Sequence, residues 1–277
     1  MKPSALPFLL PMLLLSLGGF VVPMGVLAVY SMSAGGNNPG LFGNYTAFLG
    51  DPFNLGVIVD TVALGAKVVA LCTCFAIPIA MLFWHAGPRL RRFVLILALL
   101  PMLTSNIVRT FAWIVLLGHT GPLIAIANGL GITHNAGSFL LTEGGLVVAL
   151  AQIELPLLLL PMLAVLSRLD ARLVEAAEMA GAGPWRKMLT IILPLTLPGI
   201  IAGWILTFAS ASTNFVTQAA IGGARLIYLP QFLYRQVNVL YDWPTASVIA
   251  FVLIVSTGSV ILALAMLTRH PRLIGNA

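Results

Sequence analysis

Six long apolar runs constrain the fold of this chain more than any other feature of its sequence. Each run contains 23 to 29 residues, and about 20 apolar residues are enough to cross a bilayer as an α-helix. In lipid the backbone must satisfy its own hydrogen bonds, which helices do. The sequence therefore predicts an all-α integral membrane protein with six transmembrane helices, at about residues 7–31, 56–84, 93–117, 144–166, 195–217 and 245–268.

The composition leaves little room for a separate soluble domain. Hydrophobic residues make up 60% of the 277 residues and charged residues only 8%, a balance typical of integral membrane proteins. The first run is also longer than the core of a cleavable signal peptide, so we expect it to be retained. We therefore interpret residues 1–277 as a single transmembrane domain.

Basic residues are distributed unevenly between the two sets of loops, and this asymmetry predicts orientation. One set, together with both termini, contains Lys2, Arg89, Arg91, Arg92, Arg168, Arg172, Arg186, Lys187, Arg269 and Arg272. The opposite set contains only Arg225 and Arg235. We therefore expect both termini to lie in the cytoplasm. Because these charges are dispersed, they do not form the phosphate-tracking surface that nucleic-acid binding needs.

The loop at residues 168–194 carries most of the charge and has the signals of two short helices. Asp170 is a good N-cap for a helix over 171–180, because its carboxylate can accept from the unpaired amides of the first turn. Gly181 suits the left-handed position that ends a helix. Pro184 then suits the first turn of a second helix. The sequence predicts a water-exposed loop whose first helix has a narrow face of small apolar residues.

The loop also contains a set of spaced residues, Glu175, Ala176, Ala177, Gly181, Ile191, Leu193 and Pro194. Their spacing resembles that of the EAA loop in the permease subunits of bacterial ABC importers. The stretches 108–113, 193–199 and 215–217 are also similar to spermidine/putrescine-type permeases. The resemblance implies the type I importer fold, in which this loop couples the permease to its ATPase.

The same resemblance implies a set of partners in a bacterial inner membrane. These are two cytoplasmic ATPase subunits, a second permease subunit encoded as a different chain, and an external solute-binding protein. ATP and Mg²⁺ would be held by the ATPase, since this chain has no G-x-x-x-x-G-K-[ST] phosphate loop. The sequence also predicts no catalytic residues and no metal site, because its four histidines are scattered through loops and the C-terminal tail.

Polar residues within the apolar runs are candidates for a substrate path, since ionisable groups in a membrane are costly. The candidates are Glu154, Asn214, Arg109, Asp60 and Gln218. Glu154 is expected either to meet a substrate ammonium or to pair with Lys67 or Arg109 on a neighbouring helix. Arg109 is expected either to anchor the outer end of its span or to pair with Asp60 or Glu154.

The resemblance favours a polyamine or a related amine as the transported solute. Asn214 weakens that inference, because polyamine-like permeases often carry an acidic residue at this place. An amino-acid-like, opine-like or aminophosphonate solute is therefore the alternative. A different class, an ion-coupled secondary carrier with Glu154 or Asp60 as the ion-responsive group, would usually show paired repeats, which the sequence lacks.

Overall fold

The computed structural model describes residues 6–33, 42–129 and 138–268, most of which are helical. Both termini, which the sequence predicts to be cytoplasmic, lie outside the described residues. The helices are α1 Leu6–Met32, α2 Gly43–Gly50, α3 Pro52–His85, α4 Pro88–Leu99, α5 Asn106–Leu117, α6 Pro122–Gly129, α7 Glu143–Leu166, α8 Ala171–Met179, α9 Pro184–Lys187, α10 Leu193–Thr213, α11 Phe215–Thr217, α12 Leu229–Arg235 and α13 Trp243–Thr268.

Helix α7 is the centre of the bundle. It packs along α10 and α3, while α13 packs on α10 and α1 packs on α13. In the most apolar part of α7, 61% of the residues are buried, against 6% in α1. Six stretches of the described chain are long and apolar enough to cross a membrane, as the sequence predicts.

Two glycines allow α10 to approach α7 closely. A side chain at Gly203 would lie 2.7 Å from the carbonyl oxygen of Leu158, and one at Gly199 would lie 2.7 Å from that of Pro161. The two glycines are four residues apart, so they face the same side of α10. Small residues at such spacing are a common means of packing helices in membranes, where close van der Waals contact replaces the hydrophobic effect.

The third apolar run differs from its prediction as one continuous helix over 93–117. Helix α4 passes into a 3₁₀ turn at Leu100–Leu103, and Thr104 and Ser105 then adopt ψ of about 146° and 136°. Pro101 favours the break, since it has no amide for the helical ladder. The stretch of this region that is long and apolar enough to cross a membrane is 106–126, and the break at 104–105 shows that the single-helix interpretation of the third run is wrong.

The fifth run is also divided differently from the prediction of 195–217. Helix α9 continues through a π-helical turn, Met188–Ile192, into α10, so helical structure begins within the predicted loop. It ends at Thr213, because Asn214 has φ −74° and ψ 80°. Because the helix begins earlier than predicted, part of the polar loop is continuous with a core helix.

Candidate functional site

The polar loop forms a capped helix and a sharp turn on the surface of the bundle. Asp170 Oδ1 accepts a hydrogen bond from the amide of Arg172 at 2.9 Å, and α8 begins at Ala171, directly after Asp170. Gly181 has φ +77°, and its amide donates to the carbonyl of Glu178 at 2.9 Å. Both the N-cap and the left-handed glycine predicted from the sequence are confirmed.

The EAA-type residues divide into an exposed group and a packed group. Ala176 and Gly181 are exposed, beside Met179, which is 92% exposed. Ile191 and Leu193 instead pack against the hydrophobic core of the bundle, while Pro194 is exposed. The arrangement leaves a short helix exposed at the surface and anchors the far end of the loop in the helical bundle.

An ion pair that the sequence analysis did not predict joins α8 to α9. The Nζ of Lys187 bonds the Oε1 of Glu178. Lys187 is buried, whereas the side chain of Glu178 is 57% exposed. The Lys187 hydrogen bond, followed by the Lys187 charge, holds the pKa of Glu178 below its ordinary value. The two residues are nine apart in the chain, beyond the i+3 and i+4 spacing by which helical pairs are recognised.

A second candidate site is a cleft of about 250 Å³ between α5, α7 and α10. Its polar lining consists of Asn106, Arg109, Glu154, Ser210 and Asn214. Glu154 is the twelfth of the 24 residues of α7, which places the cleft about halfway along the helix. The structure therefore brings together three of the predicted path residues, Arg109, Glu154 and Asn214.

Asn214 holds the Glu154 carboxylate in the cleft. Its Nδ2 donates to Glu154 Oε1 at 3.0 Å, and its Oδ1 accepts from the amide of Thr217 at 3.2 Å. The helix break at Asn214 thus does two things: it frees the amide of Thr217 and turns a polar side chain towards α7. An amide in contact with a carboxylate fixes the position of the carboxylate without neutralising it.

Arg109 lies in the same cleft without forming an ion pair with Glu154. Its Nη1 donates to the carbonyl of Ile153 at 3.0 Å, while its Nε is buried without a partner. Asn106 Oδ1 is also buried without a partner. Buried polar atoms without a partner are uncommon, and here both belong to residues that line one cleft, although neither atom is itself open to solvent.

Lys67 pairs with Glu143 at the start of α7. Both side chains are about half exposed, although Lys67 lies near the middle of α3 and Glu143 is the first residue of α7. This contact excludes Lys67 as the partner of Glu154. Within the described residues, no basic side chain forms an ion pair with Glu154.

Two predicted path residues lie elsewhere. Asp60 lines a separate cleft of about 260 Å³ together with Arg225. Gln218 is fully buried, and its Nε2 donates to the carbonyl of Ala211 at 2.9 Å, which ties the turn after α11 back to α10. Asn106 was missed in the sequence, although it lies three residues before Arg109 and so shares its helical face.

Known proteins match this chain over most of its length. The family described as binding-protein-dependent transport system inner membrane component matches residues 73–274. The spermidine/putrescine transport system permease protein PotB of Haemophilus influenzae is 30% identical over 229 residues, covering 81% of this chain and 80% of the relative. The protein of the same name in Escherichia coli K12 is 27% identical over 219 residues, covering 79% of each.

Solved structures share the fold at low sequence identity. A chain of a bacterial ABC transporter involved in the import of the acidic polysaccharide alginate aligns with a TM-score of 0.79 and 16% identity, covering 95% of this chain and 94% of that one. A chain of the MetNI methionine ABC transporter aligns with a TM-score of 0.61 and 17% identity, covering 78% and 94%. The chain therefore belongs to the family of inner membrane components of binding-protein-dependent transport systems.

Proposed function

We propose that this chain is the permease subunit of an ABC importer for a polyamine or a related amine. The observation that carries the solute class is the similarity over about four fifths of the chain to two spermidine/putrescine permeases. The Glu154 side chain in this cleft supports it, since its carboxyl oxygens are hydrogen-bond acceptors and the group bonded to Oε1 is the neutral amide of Asn214. An ammonium group entering the cleft would find a positioned acceptor.

An amino-acid-like, opine-like or aminophosphonate solute is the second candidate. Arg109 favours it, because this guanidinium side chain lines the same cleft as Glu154. A cleft with one guanidinium and one carboxylate suits a solute that carries both charges. The experiment that separates the two candidates measures solute-stimulated ATP hydrolysis by the reconstituted transporter, with spermidine and putrescine compared against these zwitterions.

We assign the remaining chemistry to partners. Two cytoplasmic ATPase subunits bind ATP and Mg²⁺ and dock on the polar loop at α8, a second permease subunit of a different chain completes the membrane domain, and an external binding protein delivers the solute. In this scheme the present chain contributes no catalytic group. Solute uptake that persists without ATP and follows an ion gradient would instead indicate a secondary carrier.

We predict that the polar loop and both termini face the cytoplasm. Single cysteines at Ala47 and Asn238, in a cysteine-free background, should react with a membrane-impermeant thiol reagent added to intact cells. Cysteines at Arg89 and Gly183 should react only after the membrane is opened. All four positions are exposed on the subunit, so a lack of reaction reports the membrane barrier. External labelling at Gly183 would contradict the orientation.

Glu154→Gln should lower uptake of an amine by about ten- to a hundred-fold, because a hydrogen bond to a charged group is worth about 1.5–3 kcal/mol. Subunit yield and substrate-independent ATP hydrolysis should stay near normal, since glutamine keeps an oxygen that can accept from Asn214. Glu143→Gln is the matched control, as it removes the other carboxylate of α7. Unchanged uptake, or a large loss of yield, would exclude Glu154 from substrate binding.

A further inference from the structure

The connection between α8 and α9 is a hinge in its backbone. It consists of Gly181, Ala182 and Gly183, and a side chain on either glycine would meet no atom within 4 Å. Glycine has more backbone freedom than other residues, while the Ala182 amide bonds back to the carbonyl of Ala177 in α8 at 2.9 Å. Gly183 is therefore the position at which the angle between α8 and α9 can change most easily.

The far side of this hinge is rigid. Helix α9 continues through the turn at Met188–Ile192 into α10, and α10 packs on α7, α3 and α13. Ile192 and Met188 are themselves buried in the core. Any side chain that ties α8 to α9 therefore ties it to the centre of the membrane domain.

The ion pair of Glu178 and Lys187 spans the hinge. Glu178 lies in the last turn of α8, and Lys187 is the last residue of α9. The side chain of Lys187 is only 11% exposed, and a buried ammonium without a partner is strongly unfavourable. The pair is therefore favoured over the open state.

We propose that the ion pair of Glu178 and Lys187 is a strut that locks the docking helix α8 to α10, so that movement of α8 is transmitted into the membrane domain. The two residues act as positioning residues, and neither touches solute or nucleotide in this scheme. This inference rests on the proposed docking function of the loop. Without the strut, α8 can still bind the ATPase, but the Gly181–Gly183 hinge absorbs its movement.

The test uses the complete transporter in proteoliposomes and measures solute uptake per ATP hydrolysed. Glu178→Gln and Lys187→Met should each lower this ratio by about two- to five-fold, the factor expected for a partly exposed ion pair. Methionine keeps the apolar stem of the lysine, so packing around position 187 is retained. Co-purification of the ATPase subunits should be unchanged.

Charge exchange is the decisive variant. The double variant Glu178→Lys with Lys187→Glu should recover a large part of the coupling ratio, whereas either single reversal should lower it further. Raising the salt concentration should lower the ratio of the native transporter more than that of Glu178→Gln, because exposed charge is screened. Arg186→Gln, next to Lys187 and exposed, is the matched control and should behave as the native protein.

Two results would overturn the strut. Single variants with a native coupling ratio would show that the pair transmits nothing, and a double exchange as poor as the single reversals would show that the residues act separately. Loss of the ATPase from Glu178→Gln would assign the pair to docking and would also contradict the proposal. A different result, normal transport by Gly181→Asp, would show that the loop does not dock the ATPase at all.

Discussion

Replacing Gly203 by alanine should destabilise the subunit, and Gly203→Val should prevent a stable fold. A single Cβ at position 203 would lie 2.7 Å from the carbonyl oxygen and 2.9 Å from the Cα of Leu158. These are backbone atoms of the central helix α7, so they cannot rotate away as a side chain would. Overpacking of this kind costs about 1–3 kcal/mol, and separation of α7 from α10 would disturb the core of the bundle.

The protein contains its own reporter for this experiment. Cys72 is fully buried, and its thiol donates to the carbonyl of Ala151 on α7 at 3.2 Å. In a Cys74→Ser background, reaction of Cys72 with a thiol probe during heating reports separation of α3 from α7. Gly258→Ala on α13 is the matched control, because a Cβ there meets nothing within 4 Å. Equal melting of the two alanine variants would contradict the close-packing argument.

Gly181→Asp should abolish transport while leaving the subunit folded and inserted. The φ of +77° is a conformation that costs a residue with a side chain about 1–2 kcal/mol. The space around Gly181 is empty, so nothing within the subunit is displaced. The new carboxylate instead projects from the exposed end of α8 into the surface that we propose meets the ATPase.

The measurements are co-purification of the ATPase subunits and substrate-stimulated ATP hydrolysis, both expected to be lost. Pairing with the second permease subunit should persist, since it does not depend on this loop. Gly181→Ala is the matched control, because it meets the same backbone strain at φ +77° without adding a carboxylate. Glu175→Ala should be milder, as the second permease subunit is expected to bring its own loop. Normal transport by Gly181→Asp would exclude the docking role.

Local signals in the sequence were sufficient to predict the loop. Asp170 as an N-cap and Gly181 as a left-handed residue depend only on neighbours within one helical turn, and the structure confirms both.

The break of the third apolar run at Thr104 was missed because the prediction of that run relied on hydropathy. The run over 93–117 is continuously apolar, so its length alone suggests one span. Pro101 gave a signal of an interruption, but hydropathy does not record the loss of a backbone donor.

The sequence by itself determined the class of the protein, the number of membrane-crossing stretches and the place of the polar loop. In lipid, a spanning helix must satisfy its own backbone hydrogen bonds and must be long enough to cross the bilayer, and both requirements can be read from the apolar runs. Only the tertiary structure decided which polar side chains meet. It placed Lys67 against Glu143 and left Glu154 with Asn214. Helices such as α7 are apolar on every side, so the hydrophobic pattern indicates which residues lie in the membrane but not which face of a helix meets which neighbour. That choice is set by close contacts between residues distant in the sequence, such as that of Gly203 with Leu158.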